Sequence, residues 1–264
     1  IVGISFSVAF VARDVPTGDF MLSTFQAGQS FYSEGAYDQA IGKYRSVGDV
    51  RSVLLDDSEI IVVVGEVEAT VKDAATYQVG NSYFKLYEEA SAAAIGLRDE
   101  TERTRRLEEA EAHLEQAVSY FSRVEEQSRS KELRVLAQGR IMTCWYSARR
   151  FKEVIREGRE FVERYPNHPY VVEALYNIGW SYYELQDYDN SIAAFTELTQ
   201  GFESGFQVSR ALFQIGECYY DQGRFTEAIP HYQELVDQAD IGELTEQDVQ
   251  RMQFEKVAGL VDET

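Results

Sequence analysis

Apolar residues recur along this chain in a two-part pattern. Leu175-Tyr176-Asn177-Ile178-Gly179-Trp180-Ser181-Tyr182-Tyr183 aligns without gaps with Leu212-Phe213-Gln214-Ile215-Gly216-Glu217-Cys218-Tyr219-Tyr220 at an offset of 37 residues. With the glycine as origin, an aromatic follows at +9 (Tyr188, Phe225), a small residue at +12 (Ser191, Ala228) and an aromatic at +16 (Phe195, Tyr232). The same grid fits Gly28 with Phe31, Tyr32, Tyr37, Ala40 and Tyr44. Gly80 with Tyr83 and Phe84 opens a copy whose second half, Ala117 to Phe121, arrives 25 residues late. Met142 with Trp145, Tyr146, Phe151 and Val154 opens another, in which Met142 replaces the small residue and Gly158 the late aromatic.

Positions −4, 0 and +3 share one face of an α-helix, and +12 and +16 share one face of a second. A small residue at the origin lets the two helices approach closely while aromatics fill the space beside the contact. Each copy is therefore an αα-hairpin that cannot bury its apolar stripe alone and must stack on its neighbours. The expected fold class is all-α, with about five hairpins over residues 21–242: copies near 21–48, 73–127, 135–166, 172–204 and 209–239.

Three stretches depart from the grid. Residues 56–67 contain the β-branched run Ile60-Ile61-Val62-Val63-Val64. A lone strand in a helical stack has no ladder partner, so an extra helix capped by Ser58 is expected here. The insertion 88–112 is rich in helix formers and predicts two lengthened helices turning near Gly96, either a handle for a partner or a solvated charged hairpin. Residues 243–264 carry a helical stripe of Val249, Met252, Val257, Leu260 and Val261. It reads as a capping helix or as the first half of a sixth copy.

Composition then removes function classes. The 264 residues are 44% hydrophobic and 27% charged, enough apolar content for a packed core. The net charge of −20 argues against a nucleic-acid partner, which needs a basic face, and against attraction to anionic headgroups. Residues 1–12 are apolar and uncharged, too short a run to span a bilayer as a helix. The segment 1–20 reads as the remainder of an anchor or as a docking arm, covered by a membrane, a partner or the chain's own first helices. The alternation of Ile4, Phe6, Val8 and Phe10 also suits a strand.

Little in the sequence suggests catalysis. His113, His168 and His231 are scattered, and no metal-binding, phosphate-loop or dinucleotide spacing occurs. Glu227 and His231 are four apart, but no second pair supplies further ligands, so no metal, cofactor or catalytic residue is assigned. Cys144 and Cys218 lie two copies apart, too far for a bridge, and are expected to be packed thiols.

The grid resembles the tetratricopeptide repeat. The 37-residue step and the linker Tyr165-Pro166-Asn167-His168-Pro169-Tyr170 are similar to the subset in bacterial envelope proteins, the BamD-like lipoproteins and the periplasmic partners of the Tol-Pal system. The resemblance is strongest over 135–239, weaker over 21–48 and weakest over 49–134. It implies a right-handed α-solenoid whose concave face binds protein segments. Every copy carries a doubled aromatic at +3 and +4, and adjacent helical residues point about 100° apart. The second member shares its face with −3 and +1, giving a stripe of Phe25, Tyr32, Tyr77, Phe84, Tyr146, Tyr176, Trp180, Tyr183, Phe213 and Tyr220. By resemblance this stripe lines the groove as a partner-binding ladder; the alternative is packing within the stack. With only Lys85, Arg210 and Asn81 near it, the stripe suits an acidic tail poorly. The expected function is a non-enzymatic scaffold: a membrane-extrinsic subunit bracing or assembling a bacterial envelope complex on the periplasmic side, with membrane contact through residues 1–12, or a soluble adaptor for peptide segments.

Overall fold

A computed structural model of the chain describes residues 18–48, 60–202 and 206–240. The apolar arm 1–12, the Ser58 cap and the terminal helix 243–264 lie outside the described residues. The chain divides into two compact units, 1–137 and 138–264. The first holds α1 (Gly18–Ser33), α2 (Tyr37–Gly48), β1 (Ile61–Val64), β2 (Val67–Thr70), α3 (Val71–Ala94) and α4 (Glu100–Gln127). Helix α5 (Lys131–Ser147) crosses the boundary, and α6 (Phe151–Arg164), α7 (Val171–Glu184), α8 (Tyr188–Gly201), α9 (Phe206–Asp221) and α10 (Phe225–Asp240) belong to the second. The fold is all-α. Helices pair as α1–α2, α3–α4, α7–α8 and α9–α10, and each pair leans on its successor through α2–α3, α6–α7 and α8–α9.

The grid's small residue has a direct steric cause. A Cβ at Gly28 would sit 2.6 Å from the Tyr44 ring, at Gly80 2.8 Å from Phe121, and at Gly179 2.7 Å from Phe195; Gly216 faces Tyr232 in the same way. In each case the +16 aromatic, or its displaced equivalent Phe121, lies flat against bare backbone. The copy that starts at Met142 inverts the arrangement. Gly158 stands on the second helix, and Ile178 of α7 in the next hairpin packs closest to it, 2.7 Å from where its Cβ would be, with the Met142 sulfur farther off at 3.6 Å.

The hairpin turns repeat as well. At origin +7 the backbone is left-handed in four copies: Gly35 (φ 76°), Arg149 (φ 56°), Gln186 (φ 59°) and Gly223 (φ 72°). Around Gln186 its N–H donates to the Tyr183 carbonyl and the Asp187 N–H to that of Tyr182, at 2.8 and 2.9 Å; the other three turns repeat this pair of bonds. This is the Schellman closure, which satisfies carbonyls otherwise left open at the helix end. Two of the four positions lack the glycine that the geometry favours, at a cost of about 1–2 kcal/mol each. In the Gly80 copy the helix runs on through Tyr87 and turns only at Gly96 (φ 85°), which makes α3 and α4 24 and 28 residues long. The exposed start of α4 pairs its charges internally, Arg103 with Glu100, Arg105 and Arg106 with Glu102, and Arg106 with Glu109.

The expected extra helix over 56–67 is wrong in its described part. Residues 61–70 form an antiparallel β-hairpin in register Ile61↔Thr70 to Val64↔Val67. The missing ladder partner is the next segment, Val67-Glu68-Ala69-Thr70, brought back by the two-residue turn Gly65-Glu66. Gly65 takes φ 64° at the first central position, where a type II′ turn favours glycine. Val64 and Ala69 bury one face of the hairpin. Thr70 then caps α3 by accepting from the Asp73 N–H at 3.2 Å.

Substituting Gly179 by Ala should lower stability by about 1–3 kcal/mol, because Phe195 must move. Gly42→Ala, with nothing within 4 Å of the added carbon, should be neutral or stabilising. Gln186→Gly should raise stability by about 0.5–1 kcal/mol by relieving the left-handed turn. Urea unfolding midpoints of the three variants against the parent check this ordering.

Candidate functional site

The two members of each aromatic doublet do different work. In two copies the first reaches across to the second helix of its own hairpin, Tyr83 stacking on Tyr120 at 5.8 Å and Tyr219 on His231 at 5.6 Å; Trp145 is buried, with the Arg150 guanidinium over its ring. The second clasps the +9 aromatic that opens the next helix. Tyr32 meets Tyr37 at 5.3 Å, Tyr146 meets Phe151 at 6.1 Å, Tyr183 meets Tyr188 at 5.6 Å and Tyr220 meets Phe225 at 5.1 Å, all edge-to-face. Phe84, whose helix does not turn at that point, stacks on Tyr87 instead.

The −3 members of the proposed stripe have a third role. Phe25 packs on Tyr44, Tyr77 on Phe121, Tyr176 on Phe195 and Phe213 on Tyr232, at 5.3–6.1 Å. Phe25, Tyr77, Tyr176 and Phe84 are buried, which corrects their assignment as partner-binding residues: they are core. Tyr32, Trp180, Tyr183, Phe213 and Tyr220 are half-buried, and Tyr146 is exposed at 37%. Trp180 stacks on Tyr183 at 5.4 Å.

In the second unit the first helices of successive hairpins are joined by polar bridges. Arg149 pairs with Glu184 at 2.7 Å, Gln207 Nε2 donates to Glu173 Oε2 at 2.8 Å, and the Tyr183 hydroxyl donates to Asp221 Oδ2 at 2.7 Å. The Arg210 guanidinium lies 4.1 Å above the Tyr176 ring and donates to Gln207 at 3.2 Å. Burial raises the Tyr146 phenol pKa, with Glu184 adding to the effect and Arg210 and Arg149 opposing it. Tyr183 is raised further, by burial first and then by its bond to Asp221. Both phenols are therefore neutral at physiological pH, and that of Tyr183 donates to Asp221. The surface is aromatic, with arginines and carboxylates interleaved. Arg149, Glu173, Glu184, Gln207 and Asp221 were not among the expected site residues. Their signal was present in the 37-residue offset, which carries Glu173 onto Arg210 and Glu184 onto Asp221.

The tetratricopeptide repeat family matches residues 176–242. This segment carries tetratricopeptide repeats. No curated protein sequence matches the chain. Among solved structures, MamA from Desulfovibrio magneticus RS-1 is 12% identical with a TM-score of 0.52, covering 85% of this chain and 97% of its own. The apo form of RapI is 15% identical with a TM-score of 0.51, covering 83% and 71%. A Podospora anserina protein of nearly identical tetratricopeptide-like repeats is 11% identical with a TM-score of 0.50, covering 86% and 98%. At these identities the likeness concerns the fold. It extends the helical-repeat architecture well beyond the segment that the family matches.

The histidines and cysteines serve packing. His113 lies 6.0 Å from the Tyr83 ring, and His168 Nδ1 accepts from the Tyr170 N–H at 3.1 Å. Among the described residues no three His, Cys, Asp or Glu side chains gather as a metal site. Cys144 and Cys218 are buried free thiols, and burial pushes Cys218 up to about 11 against the opposing bond to Ser191. His231 is held below its ordinary 6.5 because burial desolvates the cation, with Glu234 opposing. The unfolded chain thus takes up this proton more readily than the folded one, and stability falls as pH drops from 6.5 through the folded value. His231→Gln should show a smaller loss of melting temperature between pH 7.5 and pH 5.5 than the parent, as read by thermal unfolding at the two pH values.

Proposed function

We propose that the chain is a non-enzymatic scaffold that holds a protein partner against the first helices of its tetratricopeptide hairpins. The bridged face of α7 and α9 carries this reading. There the half-buried edges of Trp180, Tyr183, Phe213 and Tyr220 lie among Arg210, Glu173 and Asp221, and Tyr146 stands exposed beside the Arg149–Glu184 pair. Aromatic rings already fixed by an edge-to-face clasp lose little entropy on binding, and phenol and guanidinium tips supply directional hydrogen bonds. The interleaved carboxylates disfavour an acidic segment and favour one with apolar and basic side chains.

For the setting, our reading is a membrane-extrinsic subunit that braces or assembles a complex of the bacterial envelope, on the periplasmic side. The linker Tyr165–Tyr170, similar to that of envelope repeat proteins, and the apolar run 1–12 support it. No described helix is long and apolar enough to cross a membrane. The second reading, a soluble adaptor for peptide segments, draws on the same aromatic face.

Tyr146 is the site to test, because its ring is exposed where those of Tyr183 and Tyr220 are half-buried, even though it too meets the +9 aromatic of its hairpin, Phe151. A photo-crosslinking residue at position 146 should join the chain to another polypeptide in intact cells, whereas one at the exposed Arg156 on α6 should not. Tyr146→Ala should weaken retention of that polypeptide about tenfold, as expected for a contact of moderate weight. Equal crosslinking at both positions would count against the face. Release of the chain from the membrane fraction on deleting residues 1–12 would favour the extrinsic subunit, and unchanged fractionation the adaptor.

A further inference from the structure

The β1–β2 hairpin is used neither by the helical repeat nor by the proposed binding face. In an antiparallel pair, residues that exchange hydrogen bonds alternate with residues that do not. Val64 and Val67 flank the two-residue turn and are a bonded pair, as are Val62 and Ala69, and the Val71 N–H continues the series by donating to the Ile60 carbonyl at 2.8 Å. The N–H and C=O groups of Ile61 and Val63 therefore point away from β2, along the outer edge of β1. They make no hydrogen bond among the described residues. The other edge is partly closed, since Ser130 Oγ donates to the Glu68 carbonyl at 3.1 Å.

The same two residues expose their side chains, Ile61 at 50% and Val63 at 56%. Edge strands normally carry a lysine, a proline or a bulge that blocks pairing with another chain. Ile61-Val62-Val63-Val64 has no lysine or proline, and its register with β2 runs without a bulge.

We propose that the outer edge of β1 is a strand-addition site for an extended segment of a partner protein, with a β-branched apolar centre flanked by lysine or arginine. The added strand bonds the main chain of Ile61 and Val63 and covers their side chains. Charge selects its flanks. Residues 60–70 contain Glu66 and Glu68, both exposed, and no lysine or arginine. A second copy paired through β1 would bring the exposed Glu66 and Glu68 of one copy towards those of the other, and like charges on neighbouring strands repel. A segment with basic flanks turns that repulsion into attraction.

A fluorescein-labelled peptide, Lys-Lys-Thr-Val-Ile-Val-Thr-Lys-Lys, titrated with the full chain should give saturable anisotropy, and its glutamate-flanked counterpart should bind at least tenfold more weakly. Amide exchange in the complex should slow at Ile61 and Val63 while Val62, already paired, changes little. Val63→Pro removes an outward-facing N–H and spares the β1–β2 ladder, so it should cost at least tenfold in affinity with far-UV circular dichroism and melting temperature unchanged. No binding, equal binding of the two peptides, exchange protection elsewhere in the chain, or full affinity in Val63→Pro would each overturn the proposal. So would a concentration-dependent dimer abolished by Val63→Pro, which would assign the edge to a second copy.

Discussion

The fold rests on one short-range contact, an aromatic ring laid against a backbone position that has no side chain. Tyr44 on Gly28, Phe121 on Gly80, Phe195 on Gly179 and Tyr232 on Gly216 repeat it in four hairpins. The contact fixes helix separation, since a methyl group there would force the ring out of its slot. It also fixes rotation, because the −3 aromatic of the first helix must then close on the same ring, as Phe25, Tyr77, Tyr176 and Phe213 do. Once separation and rotation are set, the +4 and +9 aromatics meet at the turn.

That arrangement limits what remains for binding. Three of the four −3 rings, and the ring of Phe84, are consumed in the core, so a surface built on aromatics must use the outer edges of rings that already have a packing partner. On α7 and α9 those edges are framed by Arg210 over Tyr176 and by the Tyr183–Asp221 bond. The same residues thus join neighbouring hairpins and offer the partner-facing chemistry. Substitutions at Tyr183 or Trp180 will mix folding and binding effects more than one at Tyr146, whose ring is exposed although it too meets Phe151.

Periodicity made much of this legible. A 37-residue offset with a glycine at its origin encodes a close helix contact, and the late arrival of Phe121 encodes the lengthening of α3 and α4. The Met142 copy departs from this, because Gly158 receives Ile178 of the next hairpin, a contact that the pattern within one copy does not display. The stripe of ten aromatics was misread for a geometric reason. A helical wheel gives the direction of a side chain but not which neighbour stands there, and at −3 the neighbour is the +16 ring of the same hairpin. The hairpin 61–70 was misread because its second strand, Val67-Glu68-Ala69-Thr70, contains only one strongly β-favouring apolar residue and runs directly into a helix. Its strand state depends on pairing, which a local pattern does not display.

Hydrogen bonds hold that hairpin where it is. Asp73, in the first turn of α3, both uses the Thr70 cap and accepts from Ser128 Oγ at 2.8 Å, which ties the end of β2 to the end of α4. Two residues further on, Ser130 reaches the Glu68 carbonyl while accepting from the Leu133 N–H at the start of α5. β2 is therefore bonded at two points, Thr70 to the first turn of α3 and Glu68 to Ser130 just before α5, with Val64 and Ala69 buried beneath the hairpin. A loop serving only to connect α2 with α3 would need no such fastening. The fastening orients β1 with its unpaired side outward, and an edge that is held in place loses less entropy on accepting another strand than one that must first order itself.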